Sequence, residues 1–312
     1  MLKFNQITCI DGKLLNDNAI EQLSQFSTNE IRIYKDLPDS EAETIKRIGD
    51  ADCVLLGFNT VLSAEAIKQC LKIKYIGLCC TLFEDEFSNV DLPTVKQRNI
   101  GIKGVTDYGD VGSVEFLFSE LIAYLQGTNG SQWQTETREL QGMNIGIIGM
   151  GRLGKKVADL ALAFGMNVFY NSRTIKTDSE YDKYKYLPLR DLLQTVDIVS
   201  FHVPRRAMVF NSEDFTYIKD GSILANLSMG YPFEVTDFHK WLENERNFAI
   251  VDKVGVGSNM PALSTFDNVS IFNKVTGLTL EAKGRLSQKV VDNIADFCIS
   301  IKAPDLAANP VL

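Results

Sequence analysis

The chain has 312 residues, more than one hydrophobic core comfortably serves, so two domains are expected. Hydrophobic residues make up 45% and charged residues 23%, the balance of an ordinary globular protein. A net charge of −8 and a pI near 5.0 exclude nucleic acid and anionic membrane as natural partners, because both demand a basic face.

The opening residues Met1-Leu2-Lys3-Phe4-Asn5-Gln6 carry no apolar signal stretch behind the lysine, and no later run is long enough to span a bilayer. A cytoplasmic protein is expected. Short apolar strands are predicted over Gln6–Ile10, Glu30–Tyr34, Ala51–Phe58, Lys74–Cys80 and Ile100–Val105. Amphipathic stretches lie between them at Asn16–Gln25, Glu41–Ile48, Ser63–Leu71 and Val90–Arg98. That alternation predicts a parallel sheet with helices on both faces. A long helix over Ser113–Leu125 closes at Gly127, and a polar loop, Thr128–Arg138, follows. A second alternating series begins with strand Asn144–Ile148 and helix Lys155–Phe164, then strand Asn167–Tyr170. Further strands are predicted at Asp197–His202, Ser222–Leu227, Phe248–Val251 and Val269–Phe272, and a last helix over about Glu281–Lys302. No strand follows that helix, which predicts that it packs back on the first domain. The domains expected are 1–105 with 282–312, and 106–281.

The six cysteines have neither zinc-type nor disulfide-framework spacing, and buried reduced thiols are the expectation. With only His202 and His239, a histidine-rich metal site is excluded, and no metal is expected.

The glycine turn carries the first chemistry. Strand Ile145-Gly146-Ile147-Ile148 runs into Gly149-Met150-Gly151-Arg152-Leu153-Gly154 and leaves as a helix. Gly149 makes the tight turn, Gly151 admits a pyrophosphate to the backbone, and Gly154 lets helix and strand pack closely. Arg152 and Leu153 lie where helix N–H groups meet phosphates. This predicts a nicotinamide dinucleotide site on a Rossmann domain. About twenty residues on, an NAD-specific site places an acid against the ribose 2′-hydroxyl. The chain instead reads Asn171-Ser172-Arg173-Thr174. A guanidinium with flanking hydroxyls suits a 2′-phosphate, so NADP(H) is expected to be preferred, with NAD(H) possible. Arg205 and Arg206 are candidates for the same end of the cofactor.

Several motifs resemble those of the D-isomer-specific 2-hydroxyacid dehydrogenase family over nearly the whole chain. They include Asn89-Val90-Asp91-Leu92, Tyr108-Gly109-Asp110 with Val114-Glu115-Phe116, Glu139-Leu140-Gln141-Gly142 through Ala163-Phe164-Gly165-Met166, and Val196-Asp197 through His202-Val203-Pro204. The resemblance implies a flavodoxin-like substrate domain beside the Rossmann domain, with the active site between them. It also implies a homodimer to which Thr128–Arg138 contributes, and a small carbonyl or hydroxy substrate. It places His202 and Pro204 by the cofactor, and Asp252 on the nicotinamide carboxamide.

The family's catalytic trio is absent. Asn226-Leu227-Ser228-Met229-Gly230 stands where the family has N-T-A-R-G, which puts Met229 at the arginine that clamps the substrate carboxylate. Gly257 stands at the glutamate, and Lys274, in Phe272-Asn273-Lys274-Val275-Thr276-Gly277, at the histidine. Two readings stay open. In one, Lys274 donates the proton, provided the apolar cleft and nearby cations make its ammonium a better acid; the missing glutamate suits this, since a carboxylate would hold the proton on it. Met229 then implies a substrate without a carboxylate in the usual pose, or one held by another cation such as Lys253. In the other, the fold binds cofactor without turnover, as a regulatory or interaction protein. Cys80, Thr81 and Tyr108 complete the expected substrate cleft with Met229 and Lys274. A nucleophilic cysteine at 79 or 80 is disfavoured by the following Glu84-Asp85-Glu86.

Overall fold

The computed structural model describes residues 3–12, 14–130, 132–133, 135–257 and 260–300. Met1, Leu2, Ser131 and Gln134 of the polar loop, and Lys302 of the expected last helix, lie outside them. The chain forms two compact units, one holding the chain up to Tyr108 and again from Leu280, the other Gly109–Thr279.

The first unit runs β1 (Ile7–Cys9), α1 (Asp17–Ser24), β2 (Arg32–Ile33), α2 (Glu41–Ile48) and β3 (Cys53–Leu56). It continues through α3 (Ala64–Gln69), β4 (Tyr75–Leu78), α4 (Leu92–Gln97) and β5 (Gly101–Lys103). The strands pair in the order β2-β1-β3-β4-β5, all parallel. Side-chain acceptors start each helix: Asn16, Ser40, Ser63 and Asp91 take the N–H three residues on. Successive residues of a strand face opposite sides, so the sheet has two cores. Ile7, Cys9, Cys53 and Leu55 pack on one side, and Val54, Leu56, Ile76 and Leu78 on the other.

The second unit opens with α5 (Asp110–Gln126), which ends on Gly127 in the left-handed conformation (φ +69°) that a helix stop requires. It then runs β6 (Asn144–Ile148), α6 (Arg152–Ala163), β7 (Asn167–Asn171), β8 (Lys185–Tyr186), α7 (Leu189–Thr195) and β9 (Ile198–Phe201). After these come α8 (Asp214–Tyr217), β10 (Ile223–Asn226), α9 (Val235–Leu242) and β11 (Phe248–Asp252). The unit closes with α10 (Lys253–Val256), α11 (Met260–Leu263) and β12 (Val269–Phe272). Its seven strands lie β12-β11-β10-β9-β6-β7-β8, again all parallel. The order reverses between β6 and β9, which is the Rossmann arrangement and sets the ligand crevice at the carboxyl ends of those strands.

The last helix, α12 (Leu280–Ser300), belongs to the first unit. Leu286, Val290, Val291 and Ile294 carry its apolar stripe into the core beside β1, β3 and β4. The described part of the polar loop turns back on its own unit. Trp133 packs on the core, its ring N–H donates to the Gly221 carbonyl at 2.5 Å, and Arg138 N–H donates to Leu125.

Candidate functional site

Because every strand of the second unit is parallel, residues that directly follow strands share one edge of its sheet. That edge holds Gly149 after β6, Asn171–Thr174 at the end of β7, and His202–Arg206 after β9. It also holds Met229 beyond β10, Asp252 as the last residue of β11, and Lys274 beyond β12. These candidates, scattered over the sequence, are therefore gathered by topology.

The glycines of the turn do different work. Gly149 has φ +97°, and a Cβ there would stand 2.4 Å from the His202 carbonyl oxygen. Its N–H donates to the Asn171 carbonyl at 2.9 Å, joining the ends of β6 and β7. A Cβ on Gly154 would come within 2.2 Å of the Gly149 carbonyl oxygen, so only glycine lets α6 lie this close to the turn. Gly151 is exposed at the N-cap of α6, which has no side-chain cap, and a Cβ there would meet nothing within 4 Å. The first helical bond runs from Lys155 N–H to the Gly151 carbonyl. Open space over an uncapped, twelve-residue helix fits a pyrophosphate.

His202 adjoins that turn. Its Nε2 is 2.8 Å from Ser200 Oγ, while its Nδ1 is shielded from solvent and has no partner among the described residues. Burial drives its pKa down to about 3, so the ring is neutral at ordinary pH. An orphaned polar atom beside the phosphate turn also fits a bound group there. In the following loop Pro204 accepts from Ala207 N–H, and Arg206 adopts a left-handed backbone with φ +67°, unusual for a side-chain-bearing residue.

At the end of β7, the loop uses some of its own polar groups. Asn171 Nδ2 donates to the Leu187 carbonyl, Ser172 Oγ to the Thr174 carbonyl at 2.6 Å, and Lys176 N–H to Tyr170 Oη. The Ser172 proton, expected on a phosphate, is thus engaged within the turn, whereas Arg173 and Thr174 are exposed.

The positions that the family resemblance assigns to the catalytic trio sit in well-pinned backbone. Asn226 holds the Met229 turn: its Oδ1 accepts from Ser228 N–H and its Nδ2 donates to the carbonyls of Gly230 and Gly255. Met229 is half-buried. Gly257 has φ +53° and ψ −129°, a backbone that a glutamate would adopt only under strain. Lys274 is exposed, and its carbonyl accepts from Lys253 N–H at 3.1 Å. Lys253, a candidate to hold the substrate, therefore starts α10 directly beside the end of β12.

Sequence reasoning missed what surrounds Asp252. Its Oδ1 accepts from Val254 N–H (3.1 Å) and Gly255 N–H (2.9 Å), capping α10. Its Oδ2 accepts from Thr276 N–H (3.1 Å) and Thr276 Oγ1 (2.9 Å). Nothing in Val275-Thr276-Gly277 announces this, since the partners lie on different strand ends.

In the first unit, Cys80 and Thr81 follow β4, and Tyr108 is the last residue before the chain crosses to the second. All six cysteines are free and buried. Burial first, and the charge of Asp11 second, push the Cys80 thiol up to about 12; Cys79 is raised well above the usual range by burial, then by Cys9 and Asp11. A thiolate nucleophile is disfavoured here chiefly by desolvation. Among the described residues no cluster fits a metal ion, and no helix is long and apolar enough to cross a membrane.

Comparison with known proteins meets this geometry on the same unit. The sequence model for the NAD-binding domain of D-isomer specific 2-hydroxyacid dehydrogenases matches residues 117–270, all within Gly109–Thr279. The chain belongs to the D-isomer specific 2-hydroxyacid dehydrogenase family. A hydroxypyruvate reductase of Blautia hydrogenotrophica is 26% identical, over 94% of this chain and 96% of that protein. Two solved structures share the fold: the TT0316 protein of Thermus thermophilus (TM-score 0.81, 24% identity, 98% of this chain and 100% of that one) and an acyclic imino acid reductase in complex with NADPH and D-Arg (TM-score 0.81, 20% identity, 96% and 98%). The glycine turn, its uncapped helix and the switch point all lie in the family's NAD-binding domain.

Proposed function

We propose that the protein is a reductase that binds NADP(H) in preference to NAD(H) and reduces the carbonyl of a small molecule, with Lys274 as proton donor. The observation that carries the reading is the open face of Gly151 on the uncapped start of α6, on the same sheet edge as Lys274. In such a reaction the bound cofactor supplies a hydride to the carbonyl carbon. The chain's part is to hold the phosphates at Gly149, Gly151, Arg152, Leu153 and Gly154, to receive the 2′-phosphate at Arg173 and Thr174, and to protonate the carbonyl oxygen from the Lys274 ammonium. Arg205 and Arg206 stand in the next loop along that edge. With Met229 in place of the arginine, the substrate is one that needs no guanidinium clamp on a carboxylate. Cys80, Thr81 and Tyr108 are the first unit's candidates for touching it.

The test is NADPH oxidation against 2-oxo acids, aldehydes and ketones. Imines join the panel because one protein of similar fold is an acyclic imino acid reductase. Activity on at least one substrate is expected, and Lys274→Ala should lower kcat about 10²-fold or more. Equal activity of the variant would remove Lys274 from the mechanism.

The second reading is a protein that binds the cofactor without turnover. The exposure of Lys274 and the positive φ of Gly257 favour it, since a glutamate would adopt that backbone only under strain. A flat panel with NADPH binding confirmed in the same sample would establish it. We place the protein in the cytoplasm as a homodimer, which sedimentation would show as twice the 34.8 kDa chain mass; a monomer mass would sink that assignment.

A further inference from the structure

Asp252 invites comparison with its expected role as a ligand for the nicotinamide carboxamide. An ionised carboxylate offers about four acceptor positions, two on each oxygen. Here two N–H groups occupy Oδ1, and one N–H and one hydroxyl occupy Oδ2. The side chain is 1% exposed. The network extends one step further, because Thr276 Oγ1 lies 3.0 Å from Ser113 Oγ. Thr276 has a single hydroxyl proton, and it is on Asp252, so Ser113 is the donor of that second bond. The chain Ser113–Thr276–Asp252 is buried throughout and joins the first turn of α5, the loop beyond β12 and the start of α10. Close backbone approach supports it: a Cβ on Gly112 would stand 2.7 Å from the Thr276 carbonyl oxygen.

We propose that Asp252 is an internal clamp in this protein and does not bind the cofactor, and that the Thr276 hydroxyl is what closes it. Three of the four donors to Asp252 are backbone N–H groups that any residue would supply. The fourth exists only because residue 276 bears a hydroxyl. Thr276 is thereby a positioning residue for the strand end that carries Lys274. It also decides against carboxamide recognition at this edge. The inference rests on the nicotinamide reading above.

The test compares dissociation constants, measured by calorimetry on the full chain, for the nicotinamide dinucleotide and its 3-acetylpyridine analogue, which keeps the carbonyl oxygen but lacks the carboxamide N–H donors. Wild type and Thr276→Ser should bind the two within about twofold. Thr276→Val frees an acceptor on Oδ2 and should come to prefer the carboxamide form by about tenfold, the worth of one hydrogen bond to a charged group. A purely structural loss would weaken both ligands alike and leave the ratio unmoved, which would overturn the role given to Thr276. A tenfold preference for the carboxamide in the wild type, which needs no variant to fold, would overturn the clamp itself. If wild type binds neither dinucleotide, the cofactor reading fails, and the inference falls with it.

Discussion

Replacing Gly151 by alanine should leave the melting temperature within about 2 °C of wild type, yet weaken dinucleotide binding about a hundredfold. The two halves of that result have separate causes. The backbone at Gly151 (φ −84°, ψ −163°) is open to any L-residue, and the new methyl would meet no protein atom within 4 Å. Folding therefore loses nothing. The methyl would occupy the space over the start of α6 that a pyrophosphate needs. Losing two N–H bonds to phosphate, at about 1.5 kcal/mol each, gives the hundredfold estimate. Gly154→Ala is the counterpart. Its methyl would be driven into the Gly149 carbonyl oxygen, so destabilisation of about 1–3 kcal/mol is expected before any ligand is added. Thermal melting and calorimetry on the two variants check both. Unchanged affinity in Gly151→Ala would remove the phosphates from this turn.

Arg173→Ala should lower NADPH affinity between about tenfold and a hundredfold while leaving NADH affinity within about twofold. The asymmetry follows from how the loop's polar groups are used. Asn171 and Ser172 direct their side-chain protons to the Leu187 and Thr174 carbonyls, so they are committed to the shape of the turn. Arg173 brings a guanidinium to the end of β7, and Asn171-Ser172-Arg173-Thr174 contains no acid to repel a 2′-phosphate. Ser172→Ala should instead weaken both cofactors alike, through the loop. Parallel titrations with NADPH and NADH decide the matter, and equal losses in Arg173→Ala would end the 2′-phosphate assignment.

Much of the architecture is legible in the sequence. Helix and strand periodicities are local, so the alternation of elements, the stop at Gly127 and the strand, turn and helix around Gly149–Gly154 could all be read in order. β8, with two residues, and α8, α10 and α11, with four each, escaped because they are too short to show a period. The predicted strand Glu30–Tyr34 shrank to Arg32–Ile33, where the ladder to β1 supplies partners only for those two.

Read alone, the residues report a dinucleotide turn, no acid within Asn171–Thr174, and Met229, Gly257 and Lys274 where the family resemblance expects an arginine, a glutamate and a histidine. Each is a matter of residue identity at short spacing. How those residues are used depends on contacts between segments far apart in the chain. Thr276 lies 24 residues from Asp252 and 163 from Ser113, and no local pattern reports a hydrogen bond formed across strand ends. Burial works in the same way. The thiols of Cys79 and Cys80 are held protonated by the core they enter and by Asp11, which arrives from β1. Lys274, by contrast, is exposed. Composition and spacing name the groups; desolvation and contact between distant segments set their chemistry, and those are properties of the packed chain.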